Sequence, residues 1–158
     1  MRRCNELGVL VDLAHITEQG FWDVEEITNA PLVVTHSAAH ALCPSARNLT
    51  DEQIDAIGAT GGVLGITFFV GDIRADGTFN ADTPLSRIVE HIDYVADRIG
   101  VEHVALGSDF DGARVPEAIG DATRLPALVE AMELRGIGDD DIRKITHENW
   151  LRVLRQTW

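Results

Sequence analysis

Short, nearly unbroken runs of Val, Leu and Ile recur along the chain, and helical patterns separate them. The runs lie at Leu7–Leu13, Pro31–Thr35, Val63–Phe69 and His103–Ser108. Such runs are typical of strands that are buried on both faces of a parallel sheet. The order β-α-β-α-β-α-β-α-α therefore predicts an α/β fold with about four parallel strands, right-handed crossovers and flanking helices.

Helices are expected where apolar residues recur at steps of three and four and where capping residues stand before them. The expected helices lie at Glu18–Thr28, Thr50–Ala59, 84–99, Pro126–Arg135 and Asp139–Gln156. Thr50 and Gln53 have the spacing of a capping box, which favours a helix beginning there. Asp82 or Thr83 is the expected N-cap of the helix that ends before Gly100.

Four strand–helix units make half of a (β/α)8 TIM-type barrel, and a whole barrel usually takes about 250 residues. The chain has 158 residues, which fits one domain over 1–158. A half barrel leaves two open sheet edges and an uncovered apolar interior. We therefore expect this chain to associate with another chain, either as a homo-oligomer or with a complementing half.

The composition excludes some classes of partner. A net charge of −13 argues against nucleic acid and against an anionic membrane surface, since both need basic patches. Cys4 and Cys43 are the only cysteines and lack metal-binding spacing, which favours a reducing compartment and a cytoplasmic protein. The apolar run Leu7–Leu13 is far shorter than the roughly 20 residues of a membrane-spanning helix.

Polar residues that can carry chemistry follow the predicted strands. His15 follows the first run, His36 the second, and Asp109 and Asp111 the fourth. Carboxyl ends of parallel strands meet at one edge of a barrel, so these groups are candidates for a metal site. A carboxylate there can also act as an acid or base or hold a substrate ammonium. The alternatives are that His15 is a satisfied polar group, that Ser37 caps a helix and His36 is incidental, and that the acids form an Asx turn before Gly112.

Arg47 lies in the long loop after His36. A guanidinium there can hold a substrate carboxylate through two hydrogen bonds, although most loop arginines are surface charges. The chain has no Gly-x-Ser-x-Gly nucleophile elbow, P-loop or dinucleotide-binding fingerprint.

At these residues the chain resembles the membrane (renal) dipeptidase family of zinc peptidases. The similar stretches are Leu10–His15, Thr35–Ala39, Arg47–Glu52, Gly61–Ile66, His91–Tyr94, Gly107–Gly112 and Glu148–Leu154. The resemblance implies a (β/α)8 barrel with two zinc ions bridged by a carboxylate and a hydroxide. It also implies hydrolysis of the peptide bond of dipeptides through a metal-activated hydroxide.

Carried over residue by residue, the resemblance makes His15 and His36 two ligands of one zinc ion. It makes Arg47 the clamp on the free carboxylate of the substrate. Asp109 becomes the catalytic acid that binds substrate and handles the proton of the tetrahedral intermediate.

The family's remaining ligands have no counterpart in this sequence. These are a His-x-Asp after the first strand and a bridging Glu, and a substrate-contacting His is missing as well. The only His-x-Asp here runs from His91 to Asp93, inside a predicted helix. We therefore expect the C-terminal half of a dipeptidase barrel with one incomplete zinc site. Two alternatives stay open: a non-catalytic half barrel that associates with another chain, and another metal hydrolase of the amidohydrolase type.

Overall fold

Three parallel strands form the centre of the chain in the order β1 (Val33–Ser37), β2 (Val63–Thr67) and β3 (Val104–Gly107). The computed structural model describes residues 1–158. The helices are α1 (Arg2–Leu7), α2 (Glu18–Ile27), α3 (Asp51–Ala59), α4 (Val70–Ile73), α5 (Ser86–Ile99), α6 (Leu125–Arg135), α7 (Asp139–Arg143) and α8 (Asn149–Thr157). The mixed α/β order confirms the predicted fold class at this level, because α3 and α5 each connect two parallel neighbours.

The prediction of a fourth strand over Leu7–Leu13 is wrong. Its first residue ends α1, which is terminated by Gly8 in the left-handed conformation at φ 64°. Only Asp12 pairs with the sheet, in a single parallel bridge to Val33. The ladder stops there because the Thr35 amide donates to the Asp12 carboxylate over 2.9 Å instead of to a backbone carbonyl. The sheet therefore has three strands rather than about four.

Both faces of the sheet are covered. On one face, Val34, Leu64 and Ile66 belong to the main hydrophobic core, together with the buried side chains of α3 and α5. Alternate residues of the same strands point to the opposite face. There a second, smaller cluster is covered by Val153 and Trp150 of α8. The apolar runs predicted burial on both faces of the sheet, and helices on both sides provide that burial.

Local sequence signals predicted most helix boundaries. The capping box is confirmed: Thr50 Oγ1 accepts from the Gln53 amide, and Gln53 Oε1 accepts from the Thr50 amide. The N-cap prediction for α5 is wrong, because that helix begins at Ser86 and the Thr83 hydroxyl donates to the Asn80 carbonyl.

Two further helical features differ from the sequence prediction. The short helix α4 lies outside the predicted helices, and the predicted helix over Asp139–Gln156 is interrupted by a π-helical segment at Lys144–Glu148. None of the helices is long and apolar enough to cross a membrane.

Candidate metal and substrate site

A β-bulge in β1 brings the site together. Val34 pairs with Leu64, but the next pair joins Ser37 to Ile66, so β1 has one more residue than β2 across this step. The bulge contains Thr35 and His36. Bulges redirect side chains and are common beside active sites.

The structure brings His15 and His36 into direct contact. Their Nε2 atoms are 2.8 Å apart, and their rings meet edge to face with centroids 4.9 Å apart. His15 reaches this position from a backbone at φ 67°, in the left-handed region that costs a non-glycine residue about 1–2 kcal/mol. The predicted proximity of these two side chains therefore depends on a strained turn and a bulge, not on two regular strand ends.

A threonine and an aspartate determine the tautomer of His36. The Thr35 hydroxyl donates its single hydrogen to Asp12 Oδ2 over 2.6 Å. Its oxygen lies 2.8 Å from His36 Nδ1, so it must accept a hydrogen from that nitrogen. Nδ1 of His36 is therefore protonated, and Nε2 carries the lone pair that faces His15.

The surroundings of His15 favour its neutral form. Burial lowers the pKa of His15 below its usual value, and the electrostatic effects of Arg47 and His36 lower it further. Asp109 and Asp12 act in the opposite direction and raise it. Neutral imidazole is the form that ligates metal ions, so the depressed pKa favours ligation at neutral pH.

Asp109 lies in a strained turn directly after β3. Its φ is 54° and that of Asp111 is 65°, so with His15 these are the only non-glycine residues of the chain at positive φ. Strained backbone of this kind clusters at functional sites. A Cβ on Gly112 would lie 2.5 Å from Asp109 Oδ1, so a side chain at this position would displace the Asp109 carboxylate.

Arg47 has no acidic partner within the chain. Its backbone is fixed on both sides, because the Ser37 hydroxyl donates to its carbonyl over 2.9 Å and its amide donates to Ser45 Oγ over 3.2 Å. Its Nε is buried and lacks a hydrogen-bond partner. Arg47 also lines a groove of about 230 Å³ together with Glu18 and His40. A guanidinium with an unused donor, on a backbone that is held at both sides, is suited to an anionic ligand.

Comparison with known proteins identifies the family of this site. The family model of membrane dipeptidases, peptidase family M19, matches residues 1–158.

The chain belongs to the membrane dipeptidase family.

Relatives in this family are longer than the chain. A Klebsiella pneumoniae protein from the pqqA 5′ region is 46% identical over 158 residues, which is 100% of this chain and 58% of the relative. The dipeptidase ataJ of Aspergillus terreus is 40% identical over 94% of this chain and 36% of its own length. A metallopeptidase from Rhodobacter sphaeroides, solved with a phosphinate mimic of the dipeptide L-Ala-D-Ala, superposes with a TM-score of 0.97 at 45% identity. That match covers 99% of this chain and 45% of the other.

His15 and His36 offer the imidazole nitrogens that zinc binds, but two ligands are too few to complete a zinc site. No group of three or more His, Cys, Asp or Glu side chains is arranged to hold a metal ion. Nitrogen ligands of tetrahedral zinc, with bonds of about 2.0–2.1 Å, lie about 3.3 Å apart. The distance of 2.8 Å between the two Nε2 atoms is that of an N–H···N hydrogen bond. A small increase in the separation of the two imidazole rings would make room for a metal ion between these atoms.

Sequence reasoning missed Thr35 as a functional residue. A threonine in a strand is so common that it carries no signal, although its position next to His36 is a clue in hindsight. Asp12 acts on His36 through Thr35 and not by direct contact. His103 Nδ1 bonds to the Gly62 carbonyl over 2.9 Å, at the beginning of the strands and away from the site.

Proposed function

We propose that this chain contributes one half of a zinc-dependent dipeptidase site. The observation that carries the proposal is the pair of Nε2 atoms 2.8 Å apart, with the lone pair of His36 directed between them. The membrane dipeptidase family and the dipeptide mimic bound to the Rhodobacter sphaeroides relative support the substrate class. In this proposal His15 and His36 hold one edge of the metal site.

Each site residue has a distinct task in this mechanism. When bound, zinc lowers the pKa of a water molecule and polarises the scissile carbonyl. Arg47 holds the free carboxylate of the dipeptide and so excludes longer peptides, whose chain continues at that position. Asp109 accepts a proton during attack on the carbonyl and returns it to the leaving nitrogen. The lowered pKa of His15 favours the neutral imidazole that binds metal.

We also infer that the fold is half of a (β/α)8 barrel and that another polypeptide segment completes it. β1 and β3 are edge strands, and exposed edges favour pairing. Leu7, Val9 and Trp158 are exposed, and Gly8 approaches the backbone of Thr157, so these apolar side chains lie in one region. The chain spans 58% and 36% of the curated relatives it matches, which favours a complementing half over a second copy. A cytoplasmic location remains a prediction from the cysteines.

A non-catalytic half barrel is the second candidate. It is favoured by one observation, the lack of a third acidic, cysteine or histidine ligand beside the two imidazoles. A hydrolase for another amide substrate is less suited to the site, because Arg47 has no internal partner and matches a free carboxylate.

Dipeptide hydrolysis with and without the missing portion separates these candidates. The chain is titrated with zinc and assayed on L-Ala-D-Ala alone, and then after mixing with the remaining portion of the Rhodobacter sphaeroides metallopeptidase. Hydrolysis that needs both components and is lost in His36→Ala supports the proposal. A control variant, His103→Ala, should retain hydrolysis because His103 lies away from the site. Zinc-dependent complementation without hydrolysis supports the non-catalytic alternative.

A further inference from the structure

His91 is a buried histidine for which the proposed mechanism has no task. It lies on α5 and is 1% exposed. Each of its ring nitrogens contacts the backbone of a different segment. The Ala39 amide donates to Nδ1 over 3.1 Å, and Nε2 lies 3.3 Å from the Ile73 carbonyl oxygen. One side chain thus joins three elements that are far apart in sequence.

The two contacts determine the tautomer of His91. A backbone N–H can only donate, so Nδ1 must carry a lone pair. The ring proton is then on Nε2, which donates to Ile73. An imidazolium has no lone pair and cannot make the bond to Ala39. Burial lowers the pKa of His91 to about 4, so the ring is neutral at physiological pH and keeps both bonds.

Ala39 begins the loop that carries Arg47. The loop is closed at its base, because the His40 amide donates to the Leu49 carbonyl over 2.9 Å and the Leu49 amide donates to the Ala38 carbonyl over 2.9 Å. A shift of Ala39 therefore displaces the whole loop. The hydrogen bond from the Ala39 amide to His91 Nδ1 is made at the start of the loop, three residues after His36.

The same loop is also bonded to α4, next to the other partner of His91. Asn48 donates to the Asp72 carbonyl over 2.7 Å, and the Ser45 hydroxyl donates to Asp72 Oδ1 over 2.7 Å. Ile73, the residue after Asp72, accepts from His91. α4 and the loop are therefore held against each other directly, by these two side-chain hydrogen bonds, and indirectly through the His91 imidazole.

We propose that His91 is a positioning residue that fixes the Arg47 loop against α4 and so holds the guanidinium in place for the substrate carboxylate. His91 does not touch substrate, and the inference rests on the proposed dipeptidase function for the identity of the ligand. The bond to Ala39 is the one that matters, because Ala39 belongs to the loop itself.

Three variants separate the two hydrogen bonds. In His91→Asn, the amide oxygen lies near the position of Nδ1 and keeps an acceptor for Ala39. In His91→Gln, the amide nitrogen lies near the position of Nε2 and keeps the donor to Ile73. His91→Phe removes both. Each variant is characterised by urea unfolding, so that loss of stability is measured separately from loss of positioning.

Two measurements test the proposal. The first is hydrogen exchange of the Ala39 and Arg47 amides by NMR, together with the ¹⁵N shifts that report the tautomer of His91. The second is the affinity of the zinc-loaded chain, mixed with the complementing portion, for an L-Ala-D-Ala phosphinate mimic and for its carboxamide. We expect exchange at Ala39 to rise about tenfold in the Gln and Phe variants but not in the Asn variant. The preference for carboxylate should fall about tenfold in the Phe variant and recover in the Asn variant.

Unchanged exchange at Ala39 in the Phe variant, or a carboxylate preference that is intact in all three variants, overturns the proposal. A merely structural His91 lowers stability in every variant without changing that preference. If the unaltered protein does not prefer carboxylate to carboxamide, the proposed function fails, and the exchange of the Ala39 and Arg47 amides decides by itself whether His91 fixes the loop.

Discussion

At the scale of single residues, one hydroxyl determines which nitrogen of His36 is available to a metal. Thr35 donates to Asp12 and accepts from Nδ1, so Nε2 is left with its lone pair. Partners of this kind orient metal ligands and raise their basicity. Asp12 is itself fixed, because it also accepts from the Ala14 amide over 3.0 Å. These hydrogen bonds thus determine the His36 tautomer without any metal, and the proposed site would need that tautomer for a ligand.

Replacing Thr35 by Val should weaken zinc binding by about 10–100-fold, because His36 loses the acceptor for its Nδ1 hydrogen. Thr35→Ser keeps the hydroxyl and should bind zinc as the unaltered chain does. Competition with a chromophoric chelator measures the affinities, and long-range ¹H–¹⁵N NMR reports the tautomer. Equal affinities of the Val and Ser variants would show that the hydroxyl has no role.

Replacing Asp109 by Asn should lower the pKa of His15 further. The Asp109 carboxylate raises that pKa, and the amide carries no charge to oppose the effects of burial and Arg47. Asp111→Asn is the matched control, because Asp111 shares the same turn but does not act on His15. The titration of His15 in the metal-free chain is followed by NMR. Equal shifts in both variants would mean that Asp109 does not face the imidazole.

At the scale of elements, the site depends on two irregular segments, the bulge in β1 and the loop after it, and the sheet and α5 hold both in place. The bulge in β1 redirects His36, and α5 contributes His91 to the loop that follows. Packing holds these irregular segments in place, because four apolar side chains of α5 are buried in the main core, namely Ile88, Val89, Ile92 and Val95. Site geometry is therefore coupled to the stability of α5.

Stability should fall as the pH drops below neutrality because of His91. Its pKa is about 4 in the folded chain and 6.5 as the ordinary value, and burial is the main cause. The stability that neutral His91 contributes is fully present above pH 6.5. It is lost between pH 6.5 and pH 4, since His91 takes up a proton in the unfolded chain before it does so in the folded chain. Glu90 opposes the shift and Arg87 adds to it. The loss amounts to about 3 kcal/mol.

Urea unfolding at pH 7 and pH 4.5 measures this loss. His91→Asn lacks the titrating group and should lose less stability over the same interval, although carboxylates contribute equally in both proteins. An identical pH dependence in the two proteins would contradict a buried, neutral His91.

At the scale of the whole molecule, an open sheet and exposed apolar side chains favour association. Val9 is 48% exposed and Trp158 is 81% exposed, in the region where Gly8 approaches Thr157. Larger exposed apolar patches mark interaction sites. The net charge of −13 opposes association of two copies of this chain.

Introducing a charge in this region should weaken binding of the complementing portion. Trp158→Glu should reduce the affinity by about tenfold or more, because a buried charge replaces a large apolar contact. Leu134→Glu is the control, since Leu134 is 83% exposed but lies on α6. Light scattering after size exclusion measures complex formation. Equal weakening by both substitutions would assign the effect to net charge and not to this surface.

The order of strands and helices follows directly from local sequence signals. Periodicity and the capping box of α3 depend only on residues within one or two turns, so they can be predicted without knowing the fold. The absence of the predicted strand over Leu7–Leu13 could not be foreseen from local signals. It follows from a tertiary contact, in which the Thr35 amide donates to the Asp12 carboxylate and not to a strand carbonyl. The bulge could not be predicted from the sequence either, since the extra residue in β1 is defined only by the pairing of β1 with β2.

By itself, the sequence determined the family, the α/β order and the identity of the four candidate site residues His15, His36, Arg47 and Asp109. The tertiary structure alone decided which nitrogen of His36 is available, how close the two imidazoles lie, and how the Arg47 loop is held. The physical reason is that residue types and their periodicity are local properties of the chain. The His36 tautomer, the bulge in β1 and the position of the Arg47 loop depend on hydrogen bonds between residues more than 20 positions apart, which only folding brings together.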